Sequence, residues 1–377
     1  MDRERLQIVF QNYIQKFEII NDSEHDENFK WEAAATFREL MNPESVNFAN
    51  NIKEAVKQTS VLIDGKQRFC FSALAKCAET REAEVKSLFD ALFAEDGGDL
   101  VVRQAKILTF IQNANQLISQ TYTSNSMYMN DQRSAMAYLF LHDPENNYLY
   151  KASEAKDFAS CIGFYGDWGS GADFHLDVYY RMCDRLVEEI KKNQKLLDKH
   201  NERYSSKYGN RVFHPDKNYH ILAFDIIYGA PTNRYDFYEG VKFEPITAEN
   251  YKKAAKALEL YNEWKKAQRR VSQLNEAEGY FNRVFCVGKS VKDKFNKEGI
   301  ITKIDQSCVY VQFSKQEKPK VYMHIKSYLD KMLTTDDPDL EVMIEKYQEV
   351  IKIGTVIRSE LKKAEEALIP YQKYLEQ

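Results

Sequence analysis

The side chains with the most evident chemical potential lie in residues 284–331. This stretch holds ten lysines against five acidic residues, in a chain whose net charge is −4. Lysine ammonium groups make sequence-independent contacts with phosphate, and an aromatic ring beside them can stack on a base. Lys289, Lys292, Lys294 and Lys297 flank Phe295, so these five residues form the candidate nucleic-acid-binding set. The same composition also fits a solvated lysine surface on a small domain. Lys252, Lys253, Lys256, Lys265, Lys266, Arg269 and Arg270 extend the basic character through the preceding segment, where a solvated helix face accounts for them. The modest overall charge argues against a polycation that coats nucleic acid indiscriminately.

Other patterns carry less chemistry. Gly288-Lys289-Ser290 ends like a phosphate-binding P-loop, but the first glycine of that motif falls on Arg283, which excludes a nucleotide-hydrolysing motor here. Asp173, His175 and Asp177 are metal-ligand types, yet two-residue spacing splays side chains apart on a helix, and acidic caps at a helix start explain them. His214 and His220 lack a cysteine or carboxylate at metal spacing. Glu189-Ile-Lys191 resembles the tail of a nuclease motif but falls mid-helix rather than on a strand. No Gly-x-Ser-x-Gly or Cys/His arrangement is visible. No catalytic residue, metal site or cofactor is assigned, and the chain reads as a non-enzyme. Gly163, Gly166, Gly169 and Gly171 enclose Tyr165 and Trp168 in a loop that either clamps a flipped base or is simply mobile. Arg133 sits one turn into a mostly apolar helix, and an unpaired buried charge is costly, so Asp225, also set among apolar residues, is the expected partner.

The elements that must position these residues follow from periodicity. At 377 residues there is room for two or three domains. Leu6, Val9, Phe10, Tyr13, Ile14 and Phe17 recur at helical spacing, predicting a helix over residues 2–20. Further helices are predicted near 29–41, 48–59, 69–77, 81–93, 100–120, 153–162 and 174–200. The densest apolar run is 128–151: Asp131 can cap a helix over 132–141 that is apolar almost all round and therefore buried, and Pro144 stops it. Residues 220–228 are a buried segment, helical by context although the composition also allows a strand. A helical domain over 1–230 results. Beyond it, Leu340, Met343, Tyr347, Val350, Gly354, Ile357, Leu361, Ala364 and Leu368 alternate steps of three and four, a heptad seam. A similar pattern begins at Tyr251. The fold expected is mainly α: a multi-helical domain, then a long antiparallel coiled-coil arm (helices 247–282 and 338–369) with a small SH3/Tudor-like β-barrel over 284–331 inserted at its tip. No apolar run approaches the ~20 residues that cross a bilayer. The chain's start lacks a signal-peptide apolar region, and the six cysteines form no Cys-x-x-Cys pair. A cytoplasmic protein with buried free thiols is expected, with no membrane partner.

Several segments of the first domain resemble, in order, the leading, non-motor region of McrB-type AAA+ proteins of modification-dependent restriction and related antiphage systems. They are Phe29-Lys30-Trp31-Glu32 with Phe37, Val46-Asn47-Phe48-Ala49, the run 85–93, the run 128–139, Pro144 with Tyr148-Leu149-Tyr150-Lys151, and Asp225-Ile226-Ile227-Tyr228. The insert resembles the Tudor-like barrel at the end of some repair helicases, through Val291, Lys294, Phe295, Gly299 and Ile301 with Val309, Val311 and Phe313. The first resemblance implies a leading region that selects DNA while an AAA+ GTPase and a partner nuclease do the cutting. The motor is missing here, so the chain works with separate subunits or is a fragment of something longer. The expected function is a non-catalytic DNA-recognition or adaptor subunit of a bacterial antiviral, restriction-like system. Its partners would be DNA or RNA and a separate ATPase or nuclease subunit. The alternative is a protein–protein scaffold whose barrel docks an effector without touching nucleic acid, and a cryptic nuclease ranks third.

Overall fold

Asp2 starts the first helix, α1 (Arg3–Ile20), by accepting the Arg5 N–H at 3.1 Å, and the apolar stripe from Leu6 to Ile20 is buried as its spacing requires. The computed structural model describes residues 1–42, 47–64, 68–122, 126–305, 307–314 and 316–375. Helices α2 (Phe29–Leu40), α3 (Phe48–Ile63), α4 (Cys70–Phe93) and α5 (Leu100–Thr121) follow. The two helices expected over 69–77 and 81–93 adjoin within α4, separated by the non-helical Arg81 (φ −134°, ψ 43°). All of α2 to α5 pack on α6 (Gln132–His142), the buried helix read from the 128–151 run. A capping box fixes its start: Asp131 accepts the Ser134 N–H and Ser134 Oγ accepts the Asp131 N–H, both at 3.0 Å. Helix α7 (Ala152–Cys161) comes next. The long helix predicted over 174–200 is two, α8 (Leu176–Lys192) and α9 (Gln194–Asn201), because Asn193 leaves the helical conformation and caps α9. Residues His220–Gly229 form a helix, α10, which settles the ambiguity there; both Asp216 carboxylate oxygens hold its first N–H groups, those of Ile221 and Leu222, at 3.0 Å.

These helices form a unit that runs from Met1 to Tyr251, past the predicted end at residue 230. The extension is anchored by Asn12, whose side-chain amide donates to the Phe237 and Glu239 carbonyls at 2.8 Å each, and by the fully buried Phe237.

At the centre of this unit lies a cluster of buried charges. Lys30 is fully buried, pairs with Asp225, and reaches Glu27 at 2.6 Å. Arg203, 1% exposed, meets the other Asp225 oxygen at 3.0 Å, donates to Asn21 at 2.8 Å and to Asn28, and lies 3.8 Å over the Trp31 ring. The Tyr13 hydroxyl donates to Asp225 at 2.6 Å. Burial works against the Lys30 ammonium, but Asp225 and Glu27 more than offset it and its pKa is raised. Arg133 is not part of the cluster. It stands 3.8 Å from Asp131 at the edge of the core, with a quarter of its side chain exposed, whereas Asp225 faces α1 and α2. Sequence spacing gives no information on which buried cation meets which carboxylate.

The second unit, Lys252–Leu375, takes up most of α11 (Ala248–Val284) and an antiparallel sheet of five strands: β1 (Ser290–Asp293), β2 (Glu298–Ile304), β3 (Cys308–Phe313), β4 (Lys320–Met323) and β5 (Leu333–Thr334). Helix α12 (Lys326–Leu329) precedes β5, and α13 (Leu340–Lys352) and α14 (Gly354–Leu368) follow it. This corrects the expected architecture on two counts. The sheet is open, in the order β4-β3-β2-β1-β5, with β4 and β5 at opposite edges. A two-residue β5 cannot carry a closing ladder; the inner face, Val291, Ile301, Val309, Val311 and Phe313, is instead covered by Phe281 and Phe285 from α11 and its continuation and by Leu340, Ile344 and Tyr347 from α13. Nor is there a long coiled-coil arm. The second stretch breaks at Ile353 (φ −105°, ψ 16°), and on α11 Leu258 is 54% exposed while Ala257 and Leu260 are buried, so the seam read from Tyr251 is out of register. The stretches meet locally, through Arg270–Glu360 and Leu274 packed on Gly354. Gly354, which fits the heptad by position, is the first residue after the break. No helix among the described residues is long and apolar enough to cross a membrane.

The central cluster yields a prediction. Asp225→Asn removes the carboxylate shared by the buried Lys30 and Arg203, leaving two buried cations with Glu27 alone, and should cost about 3–5 kcal/mol of unfolding free energy, whereas Arg133→Gln, at a partly solvated pair, should cost less than about 1 kcal/mol. Urea denaturation monitored by circular dichroism measures both; equal, small losses would show that the cluster does not govern the fold.

Candidate nucleic-acid interface

The candidate lysines are arranged by the β1–β2 hairpin. Asp293 closes the turn: its carboxylate accepts the N–H groups of Phe295 at 2.9 Å and Lys297 at 3.0 Å, and its own N–H donates to the Lys297 carbonyl at 3.0 Å. Asn296 takes the left-handed conformation the turn needs, at φ 58°, one of the few residue types that does so at small cost. Burial would raise the Asp293 pKa, but the two backbone donors and nearby Lys320 and Lys297 bring it below the usual carboxylate value. The turn is therefore anchored, and it presents Lys294, Phe295 and Lys297 to solvent. Phe295 is 67% exposed, with the Lys294 ammonium 5.0 Å from its ring centroid.

The remaining two lysines do not converge on this turn. Lys292 projects from the outer face of β1 and pairs with Asp336 at 3.3 Å, which already neutralises part of its charge. Lys289 lies beyond the other end of β1, roughly 13 Å of strand from Asp293 at ~3.3 Å per residue. The five residues thus trace a line along one strand rather than a cluster. Lys315 lies outside the described residues.

The sheet adds residues that lysine counting missed. Cross-strand register places Ile300 opposite Gln312, Tyr310 opposite Val321, and Cys308 opposite Met323 on the outer face. Ile300, Val321 and Met323 are each at least half exposed. Lys303 lies over the Tyr310 ring at 5.1 Å, repeating the lysine–aromatic pairing of the turn. The alternation in Cys308-Val309-Tyr310-Val311-Gln312-Phe313 carried this signal: Val309, Val311 and Phe313 face in, so Tyr310 faces out.

The glycine loop is not a base clamp. Trp168 is 1% exposed; its Nε1–H donates to the Tyr150 hydroxyl at 3.2 Å, and its ring stacks with Phe164 and meets Tyr179 edge-on. The loop is bound into the core through the His175 N–H, which donates to the Trp168 carbonyl at 2.8 Å. A Cβ on Gly169 would stand 2.1 Å from the Asp173 carbonyl oxygen, so the glycine is there for close packing. Tyr165, beside it, is half-buried. Both readings of a clamp and a loose loop give way to a core tryptophan.

Glu189 lies within α8, paired with Lys192 at 2.8 Å and Arg3 at 3.3 Å. Among the described residues no group of three or more His, Cys, Asp or Glu side chains is placed to hold a metal ion. Four of the six thiols are buried, as expected, while Cys286 is exposed and Cys308 half-buried. Comparison with known proteins finds no matching family model, no matching curated protein and no matching solved structure. The functional reading therefore rests on the chain's own residues.

These placements separate a core aromatic from a surface one. Trp168→Ala should cost about 3–5 kcal/mol of stability. Phe295→Ala, with most of its ring in solvent, should change stability by less than about 0.5 kcal/mol. Thermal and urea unfolding of the two variants checks this, and a large loss for Phe295→Ala would mean that the turn is packed rather than presented.

Proposed function

We propose that this chain is a non-catalytic recognition subunit whose C-terminal sheet module contacts the phosphate backbone of DNA or RNA. The observation that carries the reading is the Asp293-anchored turn, which holds an exposed Phe295 between Lys294 and Lys297. Lysines there supply phosphate contacts without sequence preference, and the ring supplies a stacking surface for an unpaired base. Lys303 with Tyr310 extends the same chemistry across the sheet. The resemblance of the first 230 residues to McrB-type leading regions supports placing this recognition in a bacterial antiviral system, with a separate ATPase or nuclease subunit acting on what is bound.

A second reading is favoured by one specific feature. Ile300, Val321 and Met323 make the outer sheet face more apolar than a phosphate-binding surface requires, and an exposed apolar patch marks a protein-docking surface. Under that reading the module docks an effector subunit and nucleic acid is not touched.

Changing Lys289, Lys292, Lys294 and Lys297 together to glutamate distinguishes the two. If the hairpin binds nucleic acid, affinity falls and the slope of log K against log salt flattens by about 0.7–0.9 for each phosphate that is no longer neutralised, Lys292 contributing least because of Asp336. Fluorescence titration of labelled single- and double-stranded oligonucleotides at several salt concentrations measures this, with circular dichroism as the folding control. Unchanged affinity and slope in the folded variant would transfer the module to the docking reading. Substituting Val321 and Met323 by serine should then abolish capture of the effector subunit.

A further inference from the structure

The first unit carries a cationic cleft that the hairpin reading leaves unused. Its volume is about 930 Å³, within the range that ligand sites occupy. Its walls come from the end of α3, the start of α4, the first turn of α6, the start of α7, and Tyr228 with Arg234.

Three cations line it: Arg133, Lys151 and Arg234. Two carboxylates line it as well, and both are committed. Asp64 caps α4, accepting the Phe71 N–H at 2.9 Å, the Ser72 N–H at 3.3 Å and the Ser72 hydroxyl at 2.8 Å. Glu154 accepts the Ser153 hydroxyl at 2.6 Å and stands 3.6 Å from Arg234. The Arg133 Nε is buried and has no hydrogen-bond partner; Asp131, at 3.8 Å, is beyond hydrogen-bond distance, so an acceptor entering the cleft gains that bond. Helix α7 starts in the same cleft, and its N-cap residue, Lys151, supplies no side-chain cap, so the positive end of the helix opens on the cations. Lys151 is itself half-buried here. It donates to the Leu62 carbonyl at 2.6 Å, yet burial, and then the neighbouring Arg133 charge, bring its pKa down to about 8. Glu154 acts in the opposite direction without offsetting them.

The rim is aromatic and apolar. Phe69 is 36% exposed and Val61 66% exposed, and the Arg234 guanidinium lies 3.7 Å over the Tyr228 ring, a flat surface suited to a planar group. We propose that this cleft binds a nucleoside 5′-phosphate, with the phosphate held by Arg133, Lys151 and the start of α7 and the base against Phe69 or the Arg234–Tyr228 stack. The chemistry is shared by a free nucleotide and by the phosphorylated end of a strand.

The test uses the full chain and AMP as probe. Calorimetric titration at low salt should show saturable AMP binding, with adenosine weaker by about tenfold or more. Arg133→Gln and Arg234→Gln should each weaken AMP by about tenfold or more, the loss expected for a charge-assisted hydrogen bond. A second readout needs no variant. With its depressed pKa, Lys151 should be labelled quickly by an amine-acylating reagent near pH 8, and AMP should protect it while Lys294 on the hairpin stays equally reactive. A 5′-phosphorylated decanucleotide that competes with AMP, where its 5′-hydroxyl form does not, assigns the ligand to a strand end; failure of both to compete assigns it to free nucleotide. Absence of saturable AMP binding, equal affinity for adenosine, or unaltered binding in both variants at native melting temperature would overturn the proposal. So would labelling of Lys151 that AMP leaves unchanged. Should Arg133→Gln fail to fold, Arg234→Gln and the labelling experiment still decide.

Discussion

One buried carboxylate organises the helical unit. Asp225 is 2% exposed and sits on a helix that is otherwise apolar. A charge in that position is tolerated only if partners are brought to it. Lys30 comes from α2, Tyr13 from α1, and Arg203 from the turn after α9, so segments up to 212 residues apart in sequence are registered against one side chain. Apolar packing by itself is satisfied by many small slips of one helix along another; a buried ion network is not, because each slip leaves a charge unpaired. The cluster also gives a physical account of two segments that carry the McrB-type resemblance. Phe29-Lys30-Trp31-Glu32 and Asp225-Ile226-Ile227-Tyr228 meet through the Lys30–Asp225 pair, and Trp31 lies under Arg203. In this chain those segments are core chemistry that serves the fold.

The same electrostatic rule distinguishes the interior from the two candidate sites. Inside the first unit, cations meet carboxylates. On the β1–β2 turn, Lys294 and Lys297 meet solvent and an aromatic ring, and in the cleft Arg133, Lys151 and Arg234 converge where Asp64 and Glu154 are already engaged. We propose that positive charge held on rigid elements serves phosphate recognition in both places. The turn does so by exposure, which suits a polymer backbone. The cleft does so by partial burial, which suits a small ligand or a strand end.

Glycines illustrate how a residue type can carry opposite meanings. Gly169 is required by close approach of the Asp173 carbonyl, and Gly354 packs tightly under the Leu274 side chain. In sequence the first belongs to an apparent mobile loop and the second to an uninterrupted heptad. Each proves to be a packing constraint, the first tightening a loop into the core and the second standing just after a helix break.

The sequence by itself indicated most helices of the first unit and the alternating inward and outward faces of the strands in the second, because these depend on periods of 3.6 and 2 that a single chain displays. It showed the lysine-rich hairpin and the burial of the 132–141 helix for the same reason. Only the tertiary structure decided what meets across distance. Asp225 found Lys30 and Arg203 rather than Arg133, Trp168 went inward rather than to a ligand, the sheet stayed open under helices α11 and α13, and Arg133, Lys151 and Arg234 came together from segments that share no local pattern. Pairing of buried charges, closure of a sheet and convergence of cations on a cleft depend on three-dimensional proximity, which sequence spacing does not encode.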